Sequence, residues 1–245
     1  MGNIYITSDL HFNHQPEFIW KSRGYESVSQ MNERQIEKWN AIITDEDDVY
    51  VLGDSCLGGG ESLDENRKLM EQLKGKLHIV LGNHDTARRE AMYRELPNVV
   101  EVAEVGIRLK YKKHNFVLTH FPMLTGNLEI EALRQTTLNL YGHTHQTTNF
   151  YNDMPYNYHV GVDSHNGYPV LLDDIIEEMY AKVEWCKAQL DLPEEEEDFE
   201  TLLRQHEELT EKISNHPEFE KMLDAFNTAG TGSCGGNCDT CAGCH

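Results

Sequence analysis

Residues 4–11 read IYITSDLH, a run of β-forming residues that ends in an aspartate and a histidine, Asp9 and His11. Short apolar runs of this kind are typical of buried strands in parallel sheets. Polar side chains directly after such a strand lie at its carboxyl end, where the loops of neighbouring parallel strands meet. The stretch therefore predicts an α/β fold with a polar site at one edge of a sheet.

The same arrangement recurs four more times along the chain. The further apolar runs and the polar residues that follow them are Val49–Leu52 with Asp54, Ile79–Leu81 with Asn83, Phe116–Thr119 with His120, and Leu138–Tyr141 with His143. His84 and Asp85 come directly after Asn83, and His145 lies two residues after His143. We expect these clusters to converge on one rim of the fold.

Each cluster by itself has an ordinary interpretation. Asn-His-Asp after a strand can form an Asx turn or a helix cap, and Gly-His-Thr-His can be a solvated turn. The order of the clusters, their strand context and their donor chemistry agree, however. Together they favour a site for two metal ions about 3.5–4 Å apart, an arrangement that activates water against phosphate esters.

The joint pattern resembles the calcineurin-like metallophosphoesterase superfamily. The motifs that carry the resemblance are DLH at 9–11, GD at 53–54, GNHD at 82–85, His120 and GHTH at 142–145. It spans residues 4 to about 174 and is similar to the small bacterial and phage-type members, whose core closes with stretches like VGVD at 160–163 and YPV at 168–170. The resemblance implies a two-sheet α/β sandwich of the metallophosphoesterase type, here followed by a C-terminal helical extension.

The resemblance also implies the metal ligands. They are Asp9, His11 and His145 for the first ion, Asn83, His120 and His143 for the second, and Asp54 as the bridge between the ions. A carboxylate can bridge because it has two oxygens, and the amide of Asn83 offers a neutral oxygen. Mixed imidazole and carboxylate donors suit two ions of Mn, Fe, Zn, Ni or Co better than Mg or Ca.

The mechanism that the resemblance implies is attack on phosphorus by a metal-bridging hydroxide, without a covalent enzyme intermediate. His84 would lie over the phosphate, where it stabilises the transition state or protonates the leaving oxygen. We expect Asp85 to orient His84, because a carboxylate fixes the tautomer of an imidazole. Two interpretations of His14 stay open: it contacts the substrate phosphate, or it is a solvated loop histidine.

Hydrolysis of phosphodiester bonds is the expected function. Small superfamily members without a large cap leave the site open, and two metals stabilise both the attacking and the leaving oxygen. The substrate class is a small phosphate ester, with nucleotides among the candidates. The alternatives are a phosphomonoesterase, and a metal-bound scaffold that uses the acidic extension and the Cys-rich tail to bind a partner.

Three segments are expected along the chain: the phosphoesterase domain at 1–174, an acidic helical extension at 175–229 and a Gly- and Cys-rich tail at 230–245. Residues 173–224 carry a net charge of −13, and residues 1–172 carry −7. No Lys- and Arg-rich stripe accompanies this acidity, which argues against non-specific binding of duplex nucleic acid. The extension is expected to be a solvated helical segment, with a homodimer or a protein partner as the alternatives.

The tail holds four of the six cysteines, at Cys234, Cys238, Cys241 and Cys244. Their spacing partly matches an iron–sulfur run, and four thiolates can also hold Zn. Neither match is complete, so a redox switch, metal delivery to the catalytic site and a disordered thiol-rich tail stay open.

No apolar stretch of 18 residues occurs, and the first strand begins almost at the N-terminus, at Ile4. We therefore expect no membrane association and a cytoplasmic protein.

Overall fold

The fold is described from a computed structural model, which gives residues 2–58, 63–124 and 137–189, all within one compact unit, Met1–Leu190. The strands in these ranges are β1 Ile4–Thr7, β2 Asp48–Leu52, β3 Lys76–Val80, β4 Val99–Ala103, β5 Gly106–Tyr111, β6 His114–Thr119, β7 Thr137–Tyr141, β8 Asn157–His159 and β9 Val170–Leu171. The helices are α1 Glu17–Ser22, α2 Val28–Ile42, α3 Leu63–Met70, α4 Ala87–Glu95 and α5 Leu172–Gln189, with a short 3-10 helix at Tyr151–Asp153.

The strands form two sheets. The first has the order β4-β3-β2-β1-β9, in which β1 to β4 are parallel and β9 is antiparallel to β1. The second has the order β5-β6-β7-β8, with β5 antiparallel to β6 and the other pairs parallel. This is the expected two-sheet α/β sandwich, and the fold prediction is confirmed.

Strand β2 shows how the layers are built. Val49 and Val51 point into an apolar cluster with residues of α2, α3 and α4, whereas Tyr50 and Leu52 point into a cluster shared with the second sheet. Successive side chains of a strand face opposite sides, so β2 is buried on both faces. Burial on both faces explains why its sequence is continuously apolar rather than alternating.

Helix α2, Val28–Ile42, shows how the first sheet is covered. Ser27 caps its N-terminus by accepting a hydrogen bond from the Gln30 amide at 3.2 Å, which satisfies one of the free N–H groups of the first turn. Met31 and Trp39 bury the apolar face of the helix. The helix covers the first sheet on the side away from the second sheet.

Helix α5, Leu172–Gln189, is the last element in the described part of the chain. Its Ile175, Met179 and Val183 lie in the apolar cluster shared by the two sheets, so the helix packs as part of the core. Residues 190–245 lie outside the described residues, and with them the Cys-rich tail and most of the acidic extension. The division into three segments stays a prediction.

No helix in the described ranges is both long enough and apolar enough to cross a membrane.

Candidate metal centre

The loops after five strands bring all seven predicted metal ligands to one rim. Asp9 follows β1, Asp54 follows β2, Asn83 follows β3, His120 follows β6 and His143 follows β7; His11 and His145 lie two residues beyond Asp9 and His143. Backbone hydrogen bonds join the first two loops, from the Asp9 amide to Gly53 at 3.1 Å and from the His11 amide to Asp54 at 3.0 Å. The carboxyl ends of the strands therefore build one polar site, as the sequence predicts.

A first group of donors surrounds Asp9. The Oδ1 atom of Asp9 lies 3.8 Å from Nε2 of His11 and 3.8 Å from Nε2 of His145. Asp9 Oδ1 and His11 Nε2 are buried, and neither has a hydrogen-bond partner among the described residues. Buried polar atoms without a partner are costly. Two donor atoms on one ion lie about 3.0–3.4 Å apart, so a metal ion would satisfy these atoms with only a small shift.

A second group surrounds Asp54. Its Oδ2 atom lies 3.5 Å from Nε2 of His120 and 3.8 Å from Nε2 of His11, so the carboxylate stands between the two groups. The Asn83 amide oxygen lies 2.9 Å from His120 Nε2 and 2.8 Å from His143 Nδ1. The carboxylate and imidazole atoms of Asp9, Asp54 and His120 lie within 4.8 Å of one another. The donor set of this group suits a second divalent ion.

The backbone of the ligand loops is unusual. Five candidate ligands have left-handed φ values: Asp9 at 59°, His11 at 54°, Asp54 at 52°, His143 at 69° and His145 at 48°. Such a conformation costs about 1–3 kcal/mol at a residue other than glycine and persists where the surroundings enforce it. Its concentration in these loops marks the rim as the candidate site.

Two motif glycines leave room for the carboxylates. A Cβ on Gly82 would overlap Oδ1 of Asp54, and a Cβ on Gly142 would overlap the Ser8 hydroxyl and approach Asp9 Oδ2 at 2.5 Å. The backbone amide beside Gly142, that of His143, donates to the same Asp9 oxygen at 2.9 Å. The glycines of GNHD and GHTH are therefore required by close backbone approach.

Asp85 has different partners from those expected. Its buried carboxylate accepts hydrogen bonds from the amides of Gly82 at 2.8 Å and Asp54 at 3.1 Å, and from the Tyr93 hydroxyl at 2.8 Å. Burial raises its pKa. Among the described residues these three donors are its hydrogen-bond partners, and the His84 imidazole is not one of them. Its role is to fix the loops after β2 and β3, which corrects the prediction that it orients His84.

His84 itself is held by its backbone. Its amide donates to Asp54 Oδ1 at 3.0 Å, and its carbonyl accepts a hydrogen bond from Arg89. Its exposed imidazole lies 5.8 Å from the ring of His11, centroid to centroid, and hydrogen-bonds to none of the described residues. A fixed backbone with an uncommitted ring suits a side chain that acts on a bound substrate.

The comparisons with known proteins identify the family of the chain. A family model described as the calcineurin-like phosphoesterase superfamily domain matches residues 3–161, more than half of the chain. The chain belongs to this superfamily. The resemblance predicted from the motifs is thereby confirmed, and the family and the ligand groups together indicate divalent metal binding.

Relatives of this superfamily member come from different sources. An uncharacterized protein of Methanocaldococcus jannaschii is 30% identical over 182 residues, which cover 72% of this chain and 90% of the relative. The gene 66 protein of Mycobacterium phage D29 is 28% identical over 209 residues, 75% of this chain and 98% of the relative. The crystal structure of a protein of unknown function from Aquifex aeolicus matches with a TM-score of 0.56 at 20% identity, over 72% of this chain and 99% of that one, which supports the fold.

One element of this phosphoesterase site has no counterpart in the sequence predictions. Asp163 Oδ2 lies 2.8 Å from Nδ1 of the candidate ligand His145. Arg23 binds both oxygens of Asp163, at 2.8 and 3.0 Å, and donates to the carbonyls of Asp9 at 2.9 Å and Leu10 at 3.1 Å. Burial would raise the pKa of Asp163, but its contacts to His145 and Arg23 hold it well below its usual range. The carboxylate therefore stays ionised and fixes the His145 ring.

The sequence offered one signal for Asp163 and none for Arg23. Asp163 follows the apolar Val160–Val162, just as other candidate ligands follow strands, and Gly161 pairs with Ser8 next to β1. Arg23 lies 140 residues away, after the short helix α1, and no local pattern links the two.

Asp163→Asn is expected to weaken metal binding by about 10–100-fold, because a carboxylate behind a ligating histidine orients the ring and raises its basicity. Titration of the metal-free protein with Mn²⁺ checks this. Asp45→Asn, at an exposed carboxylate, removes the same charge and should leave affinity unchanged. Equal affinities for Asp163→Asn and the unmodified protein would contradict a positioning role.

Proposed function

We propose that this protein is a dinuclear metal-dependent phosphodiesterase. The observation that carries the proposal is the Asp54 carboxylate between two donor groups, within 3.5 Å of His120 and 3.8 Å of His11. The seven ligands proposed for the two ions are those named from the motifs. Mn, Fe, Zn, Ni and Co all suit these donors.

The bound ions would supply Lewis acidity and lower the pKa of coordinated water. The protein's own residues supply position and proton transfer. Asp9 and Asp54 are held by backbone amides, of His143 and His84, so that one oxygen of each stays directed at the centre. The His84 imidazole is placed to hold a proton at a ring nitrogen and to transfer it to the leaving oxygen.

A pocket on one side of the centre and an exposed aromatic ring on the other support a diester over a monoester. On the side of the first donor group, a pocket of about 600 Å³ opens beside His11 and His145. On the side of the second group, the Phe121 ring packs on His143 at 4.5 Å between centroids, yet 52% of the residue is exposed. A phosphodiester has two organic substituents, and each would find a surface here.

Hydrolysis of bis(p-nitrophenyl) phosphate and p-nitrophenyl phosphate by the Mn²⁺-loaded protein tests the proposal. We expect turnover of the diester at a higher kcat/KM than that of the monoester, and no turnover after metal removal. Turnover of the monoester alone would identify a phosphomonoesterase instead. Two bound ions without hydrolysis of either ester would favour a scaffold.

A further inference from the structure

The pocket beside the first donor group is larger than a single phosphate requires. It measures about 600 Å³, within the range of small-molecule sites, and His11, His84 and His145 form part of its wall. The rest of the wall includes Phe18, Arg23, Tyr25 and Lys38. A substrate group attached to the reacting phosphate would enter this pocket, and its wall decides which group fits.

Two cations line the pocket, and Arg23 is fully engaged in the protein. All five of its N–H donors have partners: the two oxygens of Asp163, the carbonyls of Asp9 and Leu10, and the sulfur of Met31 at 3.7 Å. Its charge is neutralised by Asp163. Arg23 therefore has neither a donor nor net charge left for a ligand.

Lys38 differs because its charge is not neutralised. Its ammonium donates to the Asn166 carbonyl at 2.6 Å and lies 3.4 Å from the Tyr25 hydroxyl, both of which are neutral partners. It also lies over the rings of Tyr25 at 5.8 Å and Tyr168 at 5.5 Å. No carboxylate of the described residues pairs with it, in a chain with a net charge of −21.

The ammonium of Lys38 is bound by the turn that carries Asp163, whose carboxylate contacts the candidate ligand His145. Asn166, its carbonyl partner, follows three residues after Asp163, and the pocket wall includes both residues. Two neutral partners fix the ammonium in place and leave one of its three N–H donors without a partner among the described residues. A fixed, uncompensated cation in a pocket selects an anionic group.

We propose that Lys38 binds a second phosphate of the substrate, so that the natural substrate is a phosphodiester that carries a phosphate on one substituent. This inference rests on the proposed phosphodiesterase function. The rings of Phe18, which is 68% exposed, and Tyr25 line the same pocket and provide faces on which a base can stack. A short 5′-phosphorylated oligonucleotide combines both features.

Binding of two dinucleotides tests the proposal, the 5′-phosphorylated pApA and the unphosphorylated ApA. Their dissociation constants are measured by calorimetry on the Mn²⁺-loaded His84→Ala protein, in which turnover is suppressed. We expect pApA to bind about tenfold more tightly than ApA, the effect of one charge-assisted contact. Lys38→Met should abolish the difference, and Lys38→Arg should keep most of it.

Lys74→Met is the matched control, because Lys74 also donates to a backbone carbonyl, that of Asn40 at 3.4 Å, and lies outside the pocket wall. It should leave the pApA preference unchanged. Equal affinities for pApA and ApA, or a preference that survives Lys38→Met, would overturn the proposal. Turnover by the protein with His84 intact is a separate readout: a Lys38-dependent preference without hydrolysis of the dinucleotides or of bis(p-nitrophenyl) phosphate would refute the proposed function and leave the second phosphate site standing.

Discussion

Asp54→Ala is expected to lose bound metal and turnover together. The Asp54 carboxylate is 1–2% exposed and lies between both donor groups, so its removal takes a ligand from each. Loss of a partner outside the coordination shell already costs about 10–100-fold in metal affinity, and loss of a shared ligand should cost more than a hundredfold. Metal content after dialysis, measured beside the rate of diester hydrolysis, checks this.

Asp54 also accepts the His84 amide hydrogen bond at 3.0 Å, so a folding defect must be separated from loss of a ligand. Asp54→Asn keeps the shape and an oxygen for that hydrogen bond but removes the charge. We expect it to fold like the unmodified protein, with metal affinity between the two. Full metal occupancy in Asp54→Ala would show that Asp54 is not a shared ligand.

His84→Ala is expected to lower kcat by about 10²–10⁴, the range for loss of a general acid, while metal content stays the same. The imidazole is not among the donor groups, and its loss leaves the backbone contacts of residue 84 intact. The effect should therefore appear in kcat and not in the affinity for Mn²⁺.

Added imidazole provides the control for His84, because it can occupy the space that the side chain leaves. Partial recovery of kcat is expected in His84→Ala and not in Asp54→Ala. Unchanged turnover in His84→Ala would remove His84 from the mechanism, and loss of metal in that variant would make it a ligand.

The rim could be predicted because each ligand follows an apolar run. IYIT before Asp9 and VYVL before Asp54 show strands that are buried on both faces, and parallel strands end at a common edge. Strand register aligns the ends of these strands, because Ile4 pairs with Asp48 and Asp48 pairs with Lys76 in a regular parallel ladder. Local pattern and global fold agree in this half of the molecule.

The contacts behind the ligands could not be predicted in the same way. The Arg23–Asp163 pair joins residues far apart in sequence, and its geometry depends on how α1 and the turn at 163–167 pack against the rim. The prediction that Asp85 orients His84 was wrong for a similar reason. Its neighbour in sequence is His84, but its side chain turns inward to the amides of Gly82 and Asp54 and to Tyr93. Left-handed backbone at non-glycine ligands such as Asp9 likewise has no sequence signature.

The carboxylates around the centre have two different roles. Asp9 and Asp54 each direct one carboxylate oxygen at the centre and are placed to bind the ions. Asp85 fixes the loops of the candidate ligands, and Asp163 fixes the His145 ring. The pocket beyond Asp163 then faces the substrate through Lys38. Substitutions of Asp85 or Asp163 should change metal affinity, whereas substitutions of Lys38 should change substrate preference alone.

Titration of the metal-free protein with Mn²⁺, with bound ions per chain and hydrolysis of bis(p-nitrophenyl) phosphate followed in the same samples, tests the central claim most directly. Mn²⁺ is the suitable probe because thiolates such as those of the C-terminal cysteines prefer softer ions. We predict saturation at two ions per chain, with turnover that rises as the second ion binds and is absent in Asp54→Ala. Full turnover with one ion bound, or two bound ions without phosphodiester hydrolysis, would contradict a dinuclear phosphodiesterase.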